Sequence, residues 1–137
     1  MADAVTSQTL YDGPGSAVMA FTCHSDGTGE AAVTKVDVSA LSPAPDEVVI
    51  ERIVASTSAN MGVEILWDAD TDVTAWIISP NTSYEFCFCG DSSAGLTNTS
   101  GAGKTGDIKF TTGAGFGTLA TTDAYSIVLY LRKKHTS

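Results

Sequence analysis

The sequence predicts an all-β fold, an antiparallel β-sandwich of about eight or nine short strands. Three observations predict it. Apolar and polar residues alternate with period two along most of the chain. The breaks between these runs are rich in Gly, Pro, Asp and Ser, the residues of turns. No long segment carries a helical stripe. Residues 31–40 come nearest, but Val33, Val36 and Val38 do not keep a 3.6-residue period.

Taken in order, residues 1–11 are thinly apolar. They are expected to form an arm that pairs with a sheet edge or a neighbouring molecule. Ser25-Asp26-Gly27-Thr28-Gly29 is turn chemistry. After it, Val36 and Val38 alternate with Lys35 and Asp37. Ser42-Pro43-Ala44-Pro45-Asp46 breaks the chain again, and residues 48–54 follow as a strand. Met61, Val63, Ile65 and Trp67 then alternate with Glu64 and Asp68. A tight acidic turn, residues 68–72, leads into residues 73–78 with Trp76. Tyr84, Phe86 and Phe88 oppose Glu85 and Cys87. A long polar loop, residues 91–104, precedes a strand in which Ile108 and Phe110 oppose Asp107, Lys109 and Thr111. Residues 113–118 are a Gly-rich bend, and residues 125–131 form the last strand. In the alternating strands one face is expected to be buried and the other wetted.

Three runs are apolar on both faces. In residues 48–54, Val49 and Ile53 lie on one side at period two, with Val48, Ile50 and Val54 on the other. Residues 73–78 hold Trp76 and both isoleucines. In residues 125–131, Tyr125, Ile127, Leu129 and Leu131 point one way, and Val128 and Tyr130 the other. Such strands lie at the centre of a covered sheet or meet a partner. Val49, Ile53, Val128 and Tyr130 are therefore the candidates for this second apolar face, either an inner sheet or a partner interface. Arg132 and Lys133 join them from residues 132–137, read as a solvated basic tail or one that pairs with an acidic neighbour.

The 137 residues suit a single domain, residues 1–137, with 43% hydrophobic content, enough for a core without metal or disulfide staples. Seven basic against 16 acidic residues leave a net charge of −9, which repels phosphate and speaks against nucleic-acid binding. No run approaches the roughly 20 apolar residues of a membrane-spanning helix. Residues 1–8 have no basic region and no apolar core, so synthesis in a cytoplasm without a secretory signal is expected. In that reducing setting Cys23, Cys87 and Cys89 are expected to be free thiols.

Motifs with chemical meaning fail on context. Gly101-Ala102-Gly103-Lys104-Thr105-Gly106 has dinucleotide-type glycines and ends like a phosphate loop, but a strand rather than a helix follows, and Asn98 stands where the first phosphate-loop glycine belongs. Asp68, Asp70 and Asp72 are spaced like calcium ligands, without the following glycine or the distant glutamate. Cys87 and Cys89 lack the two-residue gap of redox or zinc pairs. Neither His24 nor His135 is placed with a nucleophile, and no Gly-x-Ser-x-Gly elbow exists. No catalytic residue, cofactor or metal is expected. Trp67 and Trp76 flank the acidic turn and form a candidate sugar platform, set against core packing of one or both.

Several segments resemble small virion proteins of tailed bacteriophages, especially phages of cyanobacteria and marine bacteria. They are Met1-Ala2-Asp3-Ala4-Val5-Thr6-Ser7-Gln8-Thr9-Leu10, Phe21-Thr22, Ser25-Asp26-Gly27-Thr28-Gly29-Glu30, Val36-Asp37-Val38-Ser39-Ala40-Leu41, Leu66-Trp67-Asp68 and Gly106-Asp107-Ile108. The resemblance implies a jelly-roll-like capsid cement, or decoration, protein. Such a protein sits on the outer capsid, often as a homotrimer, and bridges major capsid protein subunits. Tail, neck or fibre-associated modules of the same broad class are the alternative, and a carbohydrate-binding module is a further one.

Overall fold

A computed structural model describes residues 4–25, 27, 29–88, 95–112 and 123–134. Among them are nine strands: β1 (Ala4–Asp12), β2 (Ser16–His24), β3 (Val33–Val36), β4 (Glu47–Thr57), β5 (Val63–Trp67), β6 (Val73–Ile78), β7 (Ser83–Cys87), β8 (Ile108–Thr112) and β9 (Ala124–Lys134). They form two antiparallel sheets, ordered β1-β2-β9-β4-β7 and β3-β8-β5-β6. The expected sandwich is what the chain forms.

The strand order has a simple logic. β5 pairs with β6, β4 with β7, β3 with β8 and β2 with β9. The chain from β2 to β9 is thus a nested antiparallel hairpin whose tip is the β5–β6 turn. The hairpin is rolled so that β4 also meets β9 and β5 also meets β8. Every connection from β2 to β9 except that tip crosses between the sheets. This is jelly-roll winding, built from long-range pairing, with β1 and β7 at the edges of one sheet and β3 and β6 at the edges of the other. β1 folds back on β2 through the turn at Gly13, whose N–H donates to the Ser16 carbonyl at 2.9 Å.

The core lies between the sheets. β9 contributes Tyr125, Ile127, Leu129 and Leu131, β2 contributes Phe21 and Cys23, and the opposing sheet contributes Val63, Ile65, Trp67, Ile108 and Phe110. Phe110 bridges the two layers, edge-on to Phe21 at 5.4 Å and to Tyr125 at 5.9 Å between ring centres. Such pairs add about 1 kcal/mol each beyond the burial of their area. A charged pair enters this interior. Buried Glu30 accepts from Tyr125 Oη at 2.7 Å and meets the Lys35 ammonium at 2.5 Å.

Three details depart from the sequence reading. Val38 belongs to a short 3-10 turn, Val38–Ala40, capped by Asp37, so the alternating run ends at Val36. In β4 the register against β9 slips between Ile50 and Arg52, making Glu51 a β-bulge. β6 is an edge strand rather than a central one, which leaves Ile77 53% exposed.

Candidate functional site

The bulge at Glu51 decides which apolar residues reach the outer face of the five-stranded sheet. Before it, Val48 and Ile50 point into the core; after it, Ile53 and Ala55 do. Ile53 is therefore a core residue, fully buried, and not part of an interface with Val49. Val49 does point outward, beside Arg132 in the register, yet it is also fully buried. Its cover is the segment at Gly95 and Leu96, which takes the free edge of β4 where β7 ends. Ile50 N–H donates to Leu96 O at 3.0 Å, and Leu96 N–H to Ile50 O at 2.9 Å. Gly95 has φ +80°, and a β-carbon there would collide with Val49. The two β4 residues expected at an interface are thus closed off, one by the core and one by the chain itself.

Lys133 is corrected in the same way. β9 continues through Lys134, so residues 132–134 are strand and not tail. Lys133 extends the inward row of Tyr125, Ile127, Leu129 and Leu131. Its buried ammonium donates to Asp12 Oδ1 at 2.6 Å and to the Pro43 carbonyl at 3.0 Å. That contact, with the Ser42 N–H, holds the Asp12 carboxyl below its ordinary range. Residues 135–137 lie outside the described residues.

Val128, Tyr130 and Arg132 do face outward. The register sets Tyr130 between Val18 and Arg52, and Val128 between Ala20 and Val54. The Arg52 guanidinium carbon stands 5.3 Å from the centre of the Tyr130 ring, a cation–π contact. Arg52 Nη1 also meets Glu85 Oε2 at 3.1 Å, and Arg132 Nε meets Glu51 Oε2 at 3.5 Å. These four side chains are about half exposed, so each pair contributes little to stability, up to about 1 kcal/mol. A shallow depression of about 290 Å³ opens among Glu51, Arg52, Cys87 and Tyr130. The face thus carries a valine–tyrosine strip flanked by both arginines of the chain. Among the described residues, two arginines balance two glutamates there. Tyr and Arg rigidly placed around apolar surface are the residues that anchor protein interfaces. Arg52, Val54 and Val18 were not among the residues picked from the sequence. The adjacent charges Glu51-Arg52 inside an apolar run are the signal that marks the bulge and places Arg52 outside.

The other candidates resolve differently. Trp67 is 1% exposed and belongs to the core, so a sugar platform built on both tryptophans does not form. Trp76 lies at the β6–β7 flank, its Nε1–H donating to Tyr84 Oη at 2.8 Å and its ring meeting Phe88 and Phe86 at 4.9 and 5.4 Å. In the acidic turn, Asp68 and Asp72 converge on the Lys109 ammonium at 2.7 and 3.3 Å. Lys109 and the Thr105 hydroxyl hold the Asp68 carboxyl below its ordinary value, and Asp68 in turn raises the lysine. Burial raises Asp107, opposed by the Val38 N–H and helped by repulsion from Asp37 and Asp68. Among the described residues no group of three or more His, Cys, Asp or Glu side chains is arranged to hold a metal. Gly101–Gly106 leads into β8, with Lys104 paired to Glu47 at 3.2 Å, so the phosphate-binding context of strand, loop and helix is not present there. Cys23 is buried in the core, whereas Cys87 is disulfide-bonded, contrary to the expectation of free thiols; Cys89 lies outside the described residues. No helix among the described residues is long and apolar enough to cross a membrane. Comparison with family models, with curated proteins and with solved structures returns no match, so the description of the fold rests on its own strand order.

Proposed function

We propose that the chain is a non-enzymatic structural protein of a phage virion, a cement protein that docks on the outer capsid and stabilises its major capsid subunits. The observation that carries the docking half is the charge-balanced Val128–Tyr130–Arg52 face on a domain of net charge −9. A β-sheet presenting aromatic and arginine side chains binds a preformed surface with its backbone already ordered, leaving chiefly side-chain ordering to be offset. Jelly-roll winding is one of the architectures of viral capsid domains, although lectins and cupins share it, so the fold alone does not select the role. The resemblance of the opening segment and of Leu66-Trp67-Asp68 to small phage virion proteins supplies the capsid half.

Co-sedimentation tests it. The purified chain is expected to pellet with shells assembled from the companion major capsid protein and to ignore that protein unassembled. A chain that stays in the supernatant with intact shells overturns the cement role. Copy number per particle then separates capsid from tail or neck: hundreds of copies fit a shell component, a dozen or fewer fit a tail or neck module.

A further inference from the structure

We propose that the disulfide at Cys87 is a redox-responsive tether of the outer sheet face, which orders the depression there when oxidised and releases it when reduced. This deepens the docking reading and rests on it, since it assigns a regulation to the same surface.

Cys87 is disulfide-bonded and is the last residue of β7. It stands opposite Arg52 in the β4–β7 register, and with Glu51, Arg52 and Tyr130 it lines the depression of about 290 Å³. Cys23 is not within reach of it. β2 and β7 are separated by β9 and β4, three strand spacings or about 14 Å. Cys23 is also level with Tyr125 and Thr57, far along β4 from Arg52. A disulfide spans no more than about 7 Å between α-carbons. The remaining cysteine of the sequence is Cys89, and two residues of chain span at most about 7 Å, so that pair is within range.

The bond closes a very short loop beside the residues that shape the depression. The next N–H, of Phe88, donates to the Glu51 carbonyl at 2.8 Å, so the end of β7 is fastened to the β4 bulge itself. Glu51 and Arg52 pair in turn with Arg132 and Glu85, and Arg52 lies over the Tyr130 ring. These surface pairs are weak, so the order of this corner depends on the backbone beneath them. Closing so short a loop removes chain entropy from the frayed strand end, an effect of about tenfold in the balance between frayed and paired ends.

A half-buried disulfide lining an open depression is reached by small thiols. A chain made in a reducing cytoplasm carries the two thiols, and one released with the particle meets oxidants. In the exchange, a cysteine thiolate attacks a small disulfide of the glutathione class, forming a mixed disulfide and releasing one small thiolate; the second chain thiolate then displaces the other. Two protein thiols and one small disulfide thus become one protein disulfide and two small thiols.

The full chain, equilibrated in glutathione buffers from oxidised to reduced, tests this. Alkylation with intact mass counts thiols, amide hydrogen exchange follows peptides covering residues 51–54 and 84–88, and co-sedimentation follows attachment to shells. The oxidised chain is expected to lose two alkylatable thiols relative to the reduced one, and to be reduced at cytoplasmic glutathione ratios with its far-UV circular dichroism unchanged. Reduction is expected to speed exchange in both peptides and to weaken shell attachment, each by about tenfold. Cys87→Ser is expected to behave as the reduced chain in every buffer, and Cys23→Ala to respond as the wild type does. A bond that resists glutathione, or equal exchange in the two states, overturns the proposal. So does a reduced chain that binds shells as tightly as the oxidised one, or loss of the response in Cys23→Ala. If neither state attaches to shells, the docking reading fails, and the exchange comparison still decides the tether.

Discussion

The two faces of the five-stranded sheet are built from the same strands, often from adjacent residues, and do different work. On β9, Leu129 and Leu131 are buried between the sheets while Val128 and Tyr130 stand outside. The inner face is closed by the β3-β8-β5-β6 sheet and holds the Glu30–Lys35 pair. The outer face has no second sheet over it among the described residues. It holds its arginines in half-exposed pairs of little energetic weight. The difference teaches that strand hydrophobicity alone does not tell core from interface. What separates them is whether another part of the chain lies within contact distance: the segment at Gly95 covers Val49, and among the described residues none covers Tyr130 in that way.

Substitutions sharpen this comparison in order of size. Trp67→Ala on the inner side is expected to destabilise by about 4 kcal/mol in chemical denaturation, because it empties a fully packed site. Ile53→Ala follows at about 3 kcal/mol. A loss below about 1 kcal/mol at Ile53 would mean that it faces outward after all. Val49→Ala is expected to cost about 2 kcal/mol despite its outward direction, since the chain covers it. Tyr130→Ala, on the open part of the same face, is expected to change stability by less than about 1 kcal/mol while weakening attachment to shells. If Tyr130→Ala instead matched Ile53→Ala in cost, the two faces would not differ in the way described.

The smallest effect is that of pH, and it lies at the end of the sandwich rather than on either face. Asp68 has its pKa lowered in the folded state by Lys109 and Thr105. Its contribution is present above the ordinary carboxylate value of 3.8 and is lost as pH falls through the lower folded value. Asp107 acts in the opposite sense. Its raised pKa means that its charge opposes folding at neutral pH, and acidification through its folded value relieves that. Lys109 adds stability that is lost only as pH rises through a folded value above the ordinary 10.5. Thermal midpoints of Lys109→Met are accordingly expected to rise as pH drops from neutral toward 4, as protonation begins to relieve the repulsion between Asp68 and Asp107, whereas the wild type loses stability below that range.

Much of this was legible in the sequence. The alternation of Ile108 with Phe110 and of Val63, Ile65 and Trp67 identified inward rows that the structure buries. The sheet order was not legible, because pairing β2 with β9 joins residues a hundred or more positions apart and no local signal encodes it. At the candidate site, Val128 and Tyr130 were found by period two, but Ile53 was misassigned because a single extra residue, Glu51, reverses the alternation. Lys133 was misread for a chemical reason. Its charge suggested a wetted tail, although it continues the Leu129–Leu131 row and finds Asp12 at the end of the core. Trp67 was ambiguous because a tryptophan beside acidic residues suits both a core and a binding platform, and only the opposing sheet decides.

Attachment to capsid shells, compared between the wild type and an Arg52→Glu/Tyr130→Asp double variant, tests the central claim most directly. The variant alters only the outer face, so it is expected to keep the wild-type fold and thermal midpoint within a few degrees. The account predicts that the wild type co-sediments with assembled shells and that the folded double variant remains in the supernatant. A folded double variant that binds shells as tightly as the wild type would contradict it.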